Sequence, residues 1–491
     1  MLAVSHRSMA LCIIGLVCFL HLLIAPLVPL GVDEAHYALY ARHLALSYFD
    51  HPPMVGWLQK LVAPLGYHVF SLRLIPTILL AVISLQVFRL TPLLFPEGPK
   101  CQALAAVLIT NGAPVLQLMG WGLVPDLPLI LLALLALELT LKISQYNRLT
   151  HWLLLGVVYG LAGLTKYTAI FLPLGLAVFL WQQQGLRWLY QIKPWVALVP
   201  ALVLIAPVLI WNSQHQWISF TYQLNHARGG SWQLKNTLAM QGLQVVCYSL
   251  VAYVAGIVAS VFALKQPRGP HWLVIWSAWP FLLVTNWSAG NGGLMLNWSA
   301  LGWALLAPLT AHWLCLCWQR PWVRGLSIVS GALSASLIAF IFFFLAVQPL
   351  SWFPFMKPVV RDVVGWQQAA RKASDLLATM GEAANGRKPM LLVTNWSRAS
   401  RIAWYAYPLP VQVISDRASQ FSLWFGSPDR HSRGILIRDN EHGPASEVYE
   451  KNGITCQRVA EQQATLDGIV VNTFHFYRCE PDVHQKAADI H

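Results

Sequence analysis

The sequence GVDEAHYALYARHLALSYFDHPPMVGW, residues 31–57, lies between two apolar runs at 11–30 and 74–95. The ionisable side chains of this short interval include Asp33, Glu34, His36, Asp50 and His51. Because an ionisable group beside a membrane span is costly to desolvate, such a cluster indicates a functional site. The alternative is an ordinary hydrated loop with a capped helix. We therefore centre the functional prediction on residues 31–57.

The composition is that of a polytopic membrane protein. Of the 491 residues, 56% are hydrophobic and only 11% are charged, and the mean hydropathy is +0.53. The first apolar run is too long for a signal-peptide core and lacks a small-x-small cleavage site, so we predict a retained first span. The net charge of +13 fits Lys and Arg residues placed between spans. No basic run carries interleaved aromatic residues, so we expect no nucleic-acid partner.

Apolar runs close to spanning length recur along the first 350 residues. We predict about eleven transmembrane helices, at 11–30, 74–95, 102–120, 127–142, 152–165, 168–182, 195–211, 237–263, 271–285, 296–318 and 325–347. The positive-inside rule makes the loops with paired basic residues cytoplasmic, among them Arg89 with Lys100 and Arg320 with Arg324. The acids of residues 31–57 then lie outside, and the odd number of spans places the C-terminal tail outside as well.

The character of the sequence changes near residue 350. Residues 388–396, 410–415, 433–439 and 468–479 have patterns typical of short strands, and 363–380 has helical spacing. We predict a mainly α transmembrane domain at 1–350 and a small soluble α/β domain at 351–491, which is long enough to bury its own core. Cys456 and Cys479 lie in this tail. They either form a disulfide, if the tail is extracytoplasmic, or are a chance pair.

Asp33 directly follows the first apolar run, after Gly31 and Val32. A partly shielded carboxylate at that position can have a raised proton affinity and act as a base toward an incoming hydroxyl group. The neighbouring Glu34 points elsewhere on any regular structure. It either assists this base or caps a helix that we predict at 35–46.

Asp50 and His51 precede two consecutive prolines. The prolines stiffen the chain and keep the residues before them extended, so both side chains are predicted to be held in place. Asp33, Asp50 and His51 are also a candidate ligand set for a divalent cation such as Mn, Mg or Zn, because carboxylates and imidazole suit these ions.

Two further candidates lie on the predicted outer side of later spans. Asp126, in VPDLPL, either caps the helix that follows it or faces the site. Lys166 and Tyr167, in GLTKYT, interrupt an apolar stretch on the side where the positive-inside rule does not place lysine. We therefore favour an ammonium group that binds a phosphate over a lysine that only extends toward the membrane surface.

An amphipathic segment at 212–236 is predicted to lie along the membrane interface. It adds His215, His226 and Arg228 as outer donors. The tripeptide Asn-Trp-Ser occurs at 286–288, 297–299 and 395–397, which are formally glycosylation sequons. Because two of the three border a span, we interpret Trp287 and Trp298 as interfacial anchors instead.

Five segments together resemble a known family: DEAHYALYARHLALSYFDHPPMVGWL, VPDLPL, GLTKYT, NSQHQWISFTYQLNH and DRASQFSLW. They resemble bacterial members of the dolichyl-phosphate-mannose protein mannosyltransferase superfamily, with Rgt-type and aminoarabinose lipid A glycosyltransferases as nearer relatives. The resemblance covers most of residues 30–300 and one piece of the tail. It implies a GT-C membrane fold, a polyprenyl-phosphate-linked sugar donor, and transfer on the periplasmic face of a bacterial inner membrane.

The resemblance also implies roles for individual residues. Asp33 matches the catalytic acidic residue of the first outer loop, and Asp50, Asp126 and Lys166 match other polar positions that face the cavity. Where aminoarabinose transferases carry Glu-Lys before the proline, this chain has Asp50-His51, which leaves the sugar and any metal site open. The expected reaction is transfer to a lipid, glycan or protein acceptor, with Asp33 as base and Lys166 offsetting charge on the departing phosphate.

Three other functions compete with this prediction. A lipid-linked sugar transporter or flippase would distribute polar groups through the spans, whereas here they gather on one side. A ligase of the O-antigen type would be expected to carry an arginine-rich outer site, which the sequence lacks. A non-catalytic protein of envelope glycan assembly could reuse the same fold.

Overall fold

The structure, a computed structural model, describes residues 5–228, 230–292, 295–381, 388–442 and 446–480. The chain divides into two compact units. Met1–Pro26 and Leu44–Phe342 form the first, which we call the membrane unit, and Leu27–His43 and Phe343–His491 form the second, which we call the tail unit. The segment that carries Asp33 therefore groups with the C-terminal residues, although it lies near the N-terminus.

The elements follow one another in a long helical part and a short mixed part. The helices are α1 (His6–Ile24), α2 (Val32–Arg42), α3 (Met54–Lys60), α4 (Val69–Leu94), α5 (Gln102–Asn111), α6 (Pro114–Trp121), α7 (Asp126–Tyr146), α8 (Leu149–Gly163), α9 (Leu172–Gln184), α10 (Ile192–Gln214), α11 (Ile218–Arg228), α12 (Leu234–Cys247), α13 (Leu250–Leu264), α14 (Pro270–Ala289), α15 (Ala300–Leu316), α16 (Pro321–Val347), α17 (Lys357–Arg361), α18 (Trp366–Ala378), α19 (Trp396–Ala406) and α20 (Gln420–Phe425). The strands are β1 (Met390–Val393), β2 (Val411–Val413), β3 (Gly434–Asp439), β4 (Val448–Lys451), β5 (Ile454–Leu466) and β6 (Ile469–Cys479).

Several helices of the membrane unit are long and apolar enough to cross a bilayer. Among the described residues there are seven: His6–Leu27, Val69–Leu94, Asp126–Tyr146, Tyr167–Tyr190, Ile192–Gln214, Leu296–Leu316 and Pro321–Val347. Two bent helix pairs raise the number to nine if each pair counts as one span. Every predicted apolar segment is helical, but α8 has only 15 residues, and the predicted total of about eleven spans is not confirmed.

The two bent pairs break where the sequence interrupts the helical backbone. Between α5 and α6 the bend is 69°, and Pro114 there holds Ala113 in an extended conformation. Between α12 and α13 the bend is 110°, and Ser249 has a positive φ of 70°. The continuous helix predicted at 237–263 is therefore two helices in the structure.

Close packing of α8 against α10 depends on two glycines one helical turn apart. A Cβ on Gly156 would lie 2.0 Å from the carbonyl oxygen of Ala197, and one on Gly160 would lie 2.7 Å from Leu204 Cβ. Only residues without a side chain allow the two backbones to approach this closely. This packing fixes the course of α8, whose C-terminal end leads directly into Lys166.

The tail unit contains a mixed six-stranded sheet with the strand order β2-β1-β3-β6-β5-β4. β1 is parallel to both β2 and β3, and the remaining pairs are antiparallel. The predicted strands correspond to β1, β2, β3 and β6, whereas β4 and β5 were not predicted. Cys456 and Cys479 face each other in register on β5 and β6 and are joined by a disulfide.

Candidate functional site

The membrane unit holds a buried ion pair at the start of α7. Lys166 Nζ lies 2.6 Å from Asp126 Oδ1, and the two residues are only 8% and 1% exposed. The helix begins at Asp126 itself, with Pro125 at the cap position and no side-chain capping bond. The capping role considered for Asp126 is therefore not the one that the structure shows, because its carboxylate binds the Lys166 ammonium.

Two residues just before α15 also contact this pair. Asn297 Nδ2 donates to Asp126 Oδ2 at 3.0 Å, and the Lys166 ammonium lies 5.6 Å from the centre of the Trp298 ring. Both belong to a single 3-10 turn, Leu296–Ser299. The carboxylate thus has one partner for each oxygen, and the ammonium lies at the distance of a cation–π contact.

The loop that carries Asp50 is fixed by α11. Ser219 Oγ donates to the carbonyl oxygen of Tyr48 at 2.9 Å, and Gln223 Nε2 donates to that of Asp50 at 2.6 Å. These bonds satisfy backbone carbonyls of an irregular segment, which would otherwise be costly to bury. They hold the backbone of Asp50 in a defined position.

His51 and the two prolines connect this loop to α3. Tyr48 N donates to the carbonyl oxygen of His51 at 3.1 Å, which closes a tight turn. Met54 N then donates to the carbonyl oxygen of Leu164 at 2.9 Å. Because Leu164 lies two residues before Lys166, this bond joins the loop of residues 47–54 to the segment that carries the ammonium.

Tyr167, next to Lys166, contacts both the loop of residues 47–54 and α11. Its hydroxyl oxygen lies 3.5 Å from Ser47 Oγ, and its ring centre lies 5.0 Å from that of Phe220. The structure therefore brings Asp50, His51, Asp126, Lys166 and Tyr167 into one connected region of the membrane unit.

His215 has a local structural role at the end of α10. Its ring stacks on Trp211 with 3.9 Å between the ring centres, and its Nδ1 lies 2.7 Å from the carbonyl oxygen of Trp211. These contacts end the helix and do not involve the Lys166 pair. The side chains of His226 and Arg228 lie outside the described part of the chain.

In the tail unit, Asp33 and Glu34 lie in the first turn of α2 and face different surroundings. Glu34 Oε2 accepts a hydrogen bond from Gly31 N at 3.1 Å, so the capping role is the one that the structure shows. Asp33 is exposed. The helix covers Val32–Arg42 instead of the predicted 35–46, because the chain bends at His43.

The remaining part of α2 packs on α19 within the tail unit. His36 is buried, with its Nδ1 3.0 Å from Ser400 Oγ and its Nε2 3.2 Å from the Tyr40 hydroxyl oxygen. His36, one of the ionisable residues of 31–57, is therefore packed inside the tail unit.

At the end of α2, burial lowers the pKa of the His43 imidazole, and the adjacent Arg42 charge lowers it further.

No three His, Cys, Asp or Glu side chains within the described ranges form a group that could hold a metal ion. The candidate cation ligands Asp33, Asp50 and His51 thus gain no support from geometry. Metal dependence remains a prediction of the sequence, and no step proposed below uses a metal.

Sequence reasoning missed Asn297 and assigned Trp298 only an anchoring role. Trp is common at membrane interfaces, and the amide beside it carries no charge, so composition gave no signal.

Sequence reasoning also missed Glu138, a buried acid near the other end of α7. Glu138 accepts hydrogen bonds from Gln86 and Lys142, both at 2.6 Å, so it belongs to a structural charge network.

Comparison with known proteins supports the resemblance. Residues 50–211 match the family model described as dolichyl-phosphate-mannose-protein mannosyltransferase. The lipid A galacturonosyltransferase RgtD of Rhizobium johnstonii is 24% identical over 308 residues, a match that covers 60% of this chain and 62% of that protein. The chain therefore matches a little under two thirds of that relative's length.

Solved structures share the fold over almost the whole chain. ArnT from Cupriavidus metallidurans, solved with undecaprenyl phosphate bound, has a TM-score of 0.64 at 13% identity and covers 95% of this chain and 97% of its own. An oligosaccharyltransferase from Archaeoglobus fulgidus has a TM-score of 0.52 at 12% identity, with 88% and 70% covered. The chain is thus similar over residues 50–211 to this mannosyltransferase family, shares the fold of ArnT, and has several helices long and apolar enough to cross a membrane.

Proposed function

We propose that the protein transfers a sugar from a polyprenyl-phosphate donor to a lipid, glycan or protein acceptor on the periplasmic face of the bacterial inner membrane. The observation that carries this proposal is the buried Lys166 ammonium, which Asp126 binds and whose chain segment is joined by a backbone hydrogen bond to the loop of residues 47–54. A lipid phosphate leaving group stays in the membrane, so the enzyme needs a fixed cation there. RgtD is named as a lipid A galacturonosyltransferase, and ArnT binds undecaprenyl phosphate, which supports this chemistry.

In the proposed reaction the acceptor hydroxyl attacks the anomeric carbon of the donor sugar. Asp33 takes the hydroxyl proton as the new C–O bond forms. The bond between the anomeric carbon and the phosphate oxygen breaks, and its electron pair leaves with the polyprenyl phosphate. Lys166 offsets the negative charge that develops there. A single displacement inverts the anomeric centre, which NMR of the product linkage would reveal.

The periplasmic location rests on two features of the sequence and the tail unit. The basic loops between spans favour a cytoplasmic side opposite to the loop of residues 31–57. The disulfide between Cys456 and Cys479 favours an oxidising compartment for the tail unit.

Replacement of Lys166 tests the proposal directly. Lys166→Met should lower transfer about a hundredfold or more, because it removes the charge that stabilises the leaving group. Lys142→Met is the matched control, since Lys142 lies near the opposite end of α7 and pairs only with Glu138 in the described residues. The measurement is mass spectrometry of envelope glycolipids from cells that carry each variant, at equal membrane levels of protein. Full transfer by Lys166→Met would overturn the proposal.

A further inference from the structure

Asn297 occupies an unusual place beside the buried ion pair. Its Nδ2 donates to Asp126 Oδ2 at 3.0 Å, while Lys166 Nζ donates to Oδ1 at 2.6 Å. The contact joins residues 171 positions apart in the sequence. Each oxygen of the carboxylate therefore has its own donor, one charged and one neutral.

Because Asn297 binds the second oxygen of Asp126, it affects how many N–H donors of Lys166 can bind a ligand. An ionised carboxylate accepts hydrogen bonds at both oxygens, and Asp126 is only 1% exposed, so the protein must supply those bonds. An ammonium group carries three N–H donors. Within the described residues, Lys166 donates one of them to Asp126 and lies beside the Trp298 ring, which takes no conventional hydrogen bond. Two donors remain for a ligand.

Without Asn297, the second carboxylate oxygen would have the ammonium as its nearest donor. Lys166 would then turn toward both oxygens, and fewer N–H groups would be directed at a ligand. The negative charge on Asp126 Oδ2, no longer hydrogen-bonded to the Asn297 amide, would also repel an incoming phosphate. Both effects weaken anion binding by Lys166 without removing its charge.

We propose that Asn297 is a positioning residue that keeps two N–H donors of Lys166 available for the phosphate of the lipid-linked donor. This inference rests on the proposed function, in which Lys166 binds that phosphate. Asn297 acts through Asp126 and Lys166 and touches no reacting atom. Its effect should therefore be specific for the charged head group of the lipid and absent for the lipid tail.

The test compares two lipids that differ only in the phosphate. The full chain in lipid nanodiscs is titrated with undecaprenyl phosphate and with undecaprenol, and native mass spectrometry gives the ratio of the two affinities. Asn297→Ala and the nearly isosteric Asn297→Leu should lower this ratio about tenfold, the loss expected for one hydrogen bond to a charged group. A misfolded fraction lowers both affinities alike and leaves the ratio unchanged.

Two further variants show whether Asn297 acts through Lys166. Lys166→Met should reduce the ratio further, and the double variant with Asn297→Ala should be no worse than Lys166→Met alone. Asn286→Ala is the matched control from the other membrane-unit Asn-Trp-Ser tripeptide. Asn286 accepts from Gln241 and Gln244, so its loss should affect stability and not the ratio.

The outcomes separate this inference from the proposed function. A wild-type ratio in both Asn297 variants, or additive losses in the double variant, would overturn the role of Asn297 and leave the role of Lys166 intact. A wild-type chain that does not distinguish undecaprenyl phosphate from undecaprenol would overturn the proposed function, and this inference with it.

Discussion

Adjacent acids in the first turn of α2 have different surroundings because a helix directs neighbouring side chains to different faces. Glu34 turns back to the backbone N–H of Gly31, which satisfies one of the donors that a helix start leaves unpaired. Asp33, the neighbouring carboxylate, is exposed. Replacing Asp33 and Glu34 in separate variants therefore compares two side chains of equal charge at neighbouring positions.

Asp33→Asn should lower transfer about a hundredfold or more, since an amide cannot take the acceptor proton. Glu34→Gln should leave turnover close to wild type, because glutamine can still accept the bond from Gly31 N. Turnover is measured as label transferred from a polyprenyl-phosphate-sugar extract to total envelope lipid, with each variant at the same concentration. Wild-type turnover by Asp33→Asn would remove this residue as the base, and equal losses in both variants would indicate damage to α2.

The sequence predicted the charged members of the membrane-unit site but not their neutral neighbours. Asp126 and Lys166 could be found because a charge in an apolar stretch is costly and needs a reason. Asn297 could not, because an amide at the edge of a span has little cost by itself. Its importance arises from a contact with Asp126 across the fold.

At the scale of elements, hydropathy located helices well and their breaks poorly. Each predicted apolar run is helical because a buried backbone in lipid must satisfy its own hydrogen bonds. Hydropathy does not predict the change in direction at Ser249, because both helices that meet there at 110° are apolar.

The strand β5 was missed for a different reason. Its sequence, ITCQRVAEQQATL, contains two alanines and a glutamate, residue types that are depleted in strands, and its pairing with β6 overrides that preference.

The disulfide between β5 and β6 gives a prediction at this scale. It closes a separation of 23 residues, so replacing both Cys456 and Cys479 by Ala should destabilise the tail unit by about 3 kcal/mol. The physical reason is the greater conformational freedom of the unfolded chain without the cross-link. Proteolysis across a urea series, followed by detection of tail peptides, measures the shift.

The control for this prediction is Cys12→Ala, which removes an exposed free cysteine of α1. It should leave the urea midpoint of the tail peptides unchanged, and treatment of the wild-type chain with a reductant should reproduce the double variant. An unchanged midpoint in the double variant would contradict a stabilising role for the disulfide.

At the scale of the whole molecule, the Lys166–Asp126 pair constrains how the chain crosses the bilayer. α7 begins at Asp126 and α8 ends just before Lys166, so the pair holds the start of one helix beside the end of the next. The two helices must therefore run in opposite directions between the same two levels. Although α8 has only 15 residues, this contact implies that it returns across the membrane after α7.

Reporter fusions test the resulting topology. We expect alkaline phosphatase fused after Arg148, between α7 and α8, to be inactive because that loop is cytoplasmic, and the same enzyme fused after Glu480 to be active. Fluorescent-protein fusions at the two sites should give the opposite result, and a fusion after Arg268 serves as a second cytoplasmic control. With α8 as a further crossing, the seven spans become eight, or ten if both bent pairs also cross, and an even total places the two ends of the chain on the same side. Ends on opposite sides require one more crossing, for which α14, with 20 residues, is the candidate. Phosphatase activity after Arg148 would mean that α7 and α8 do not form a return crossing. An inactive fusion after Glu480 would remove the tail unit from the periplasm and, with it, the proposed site of transfer.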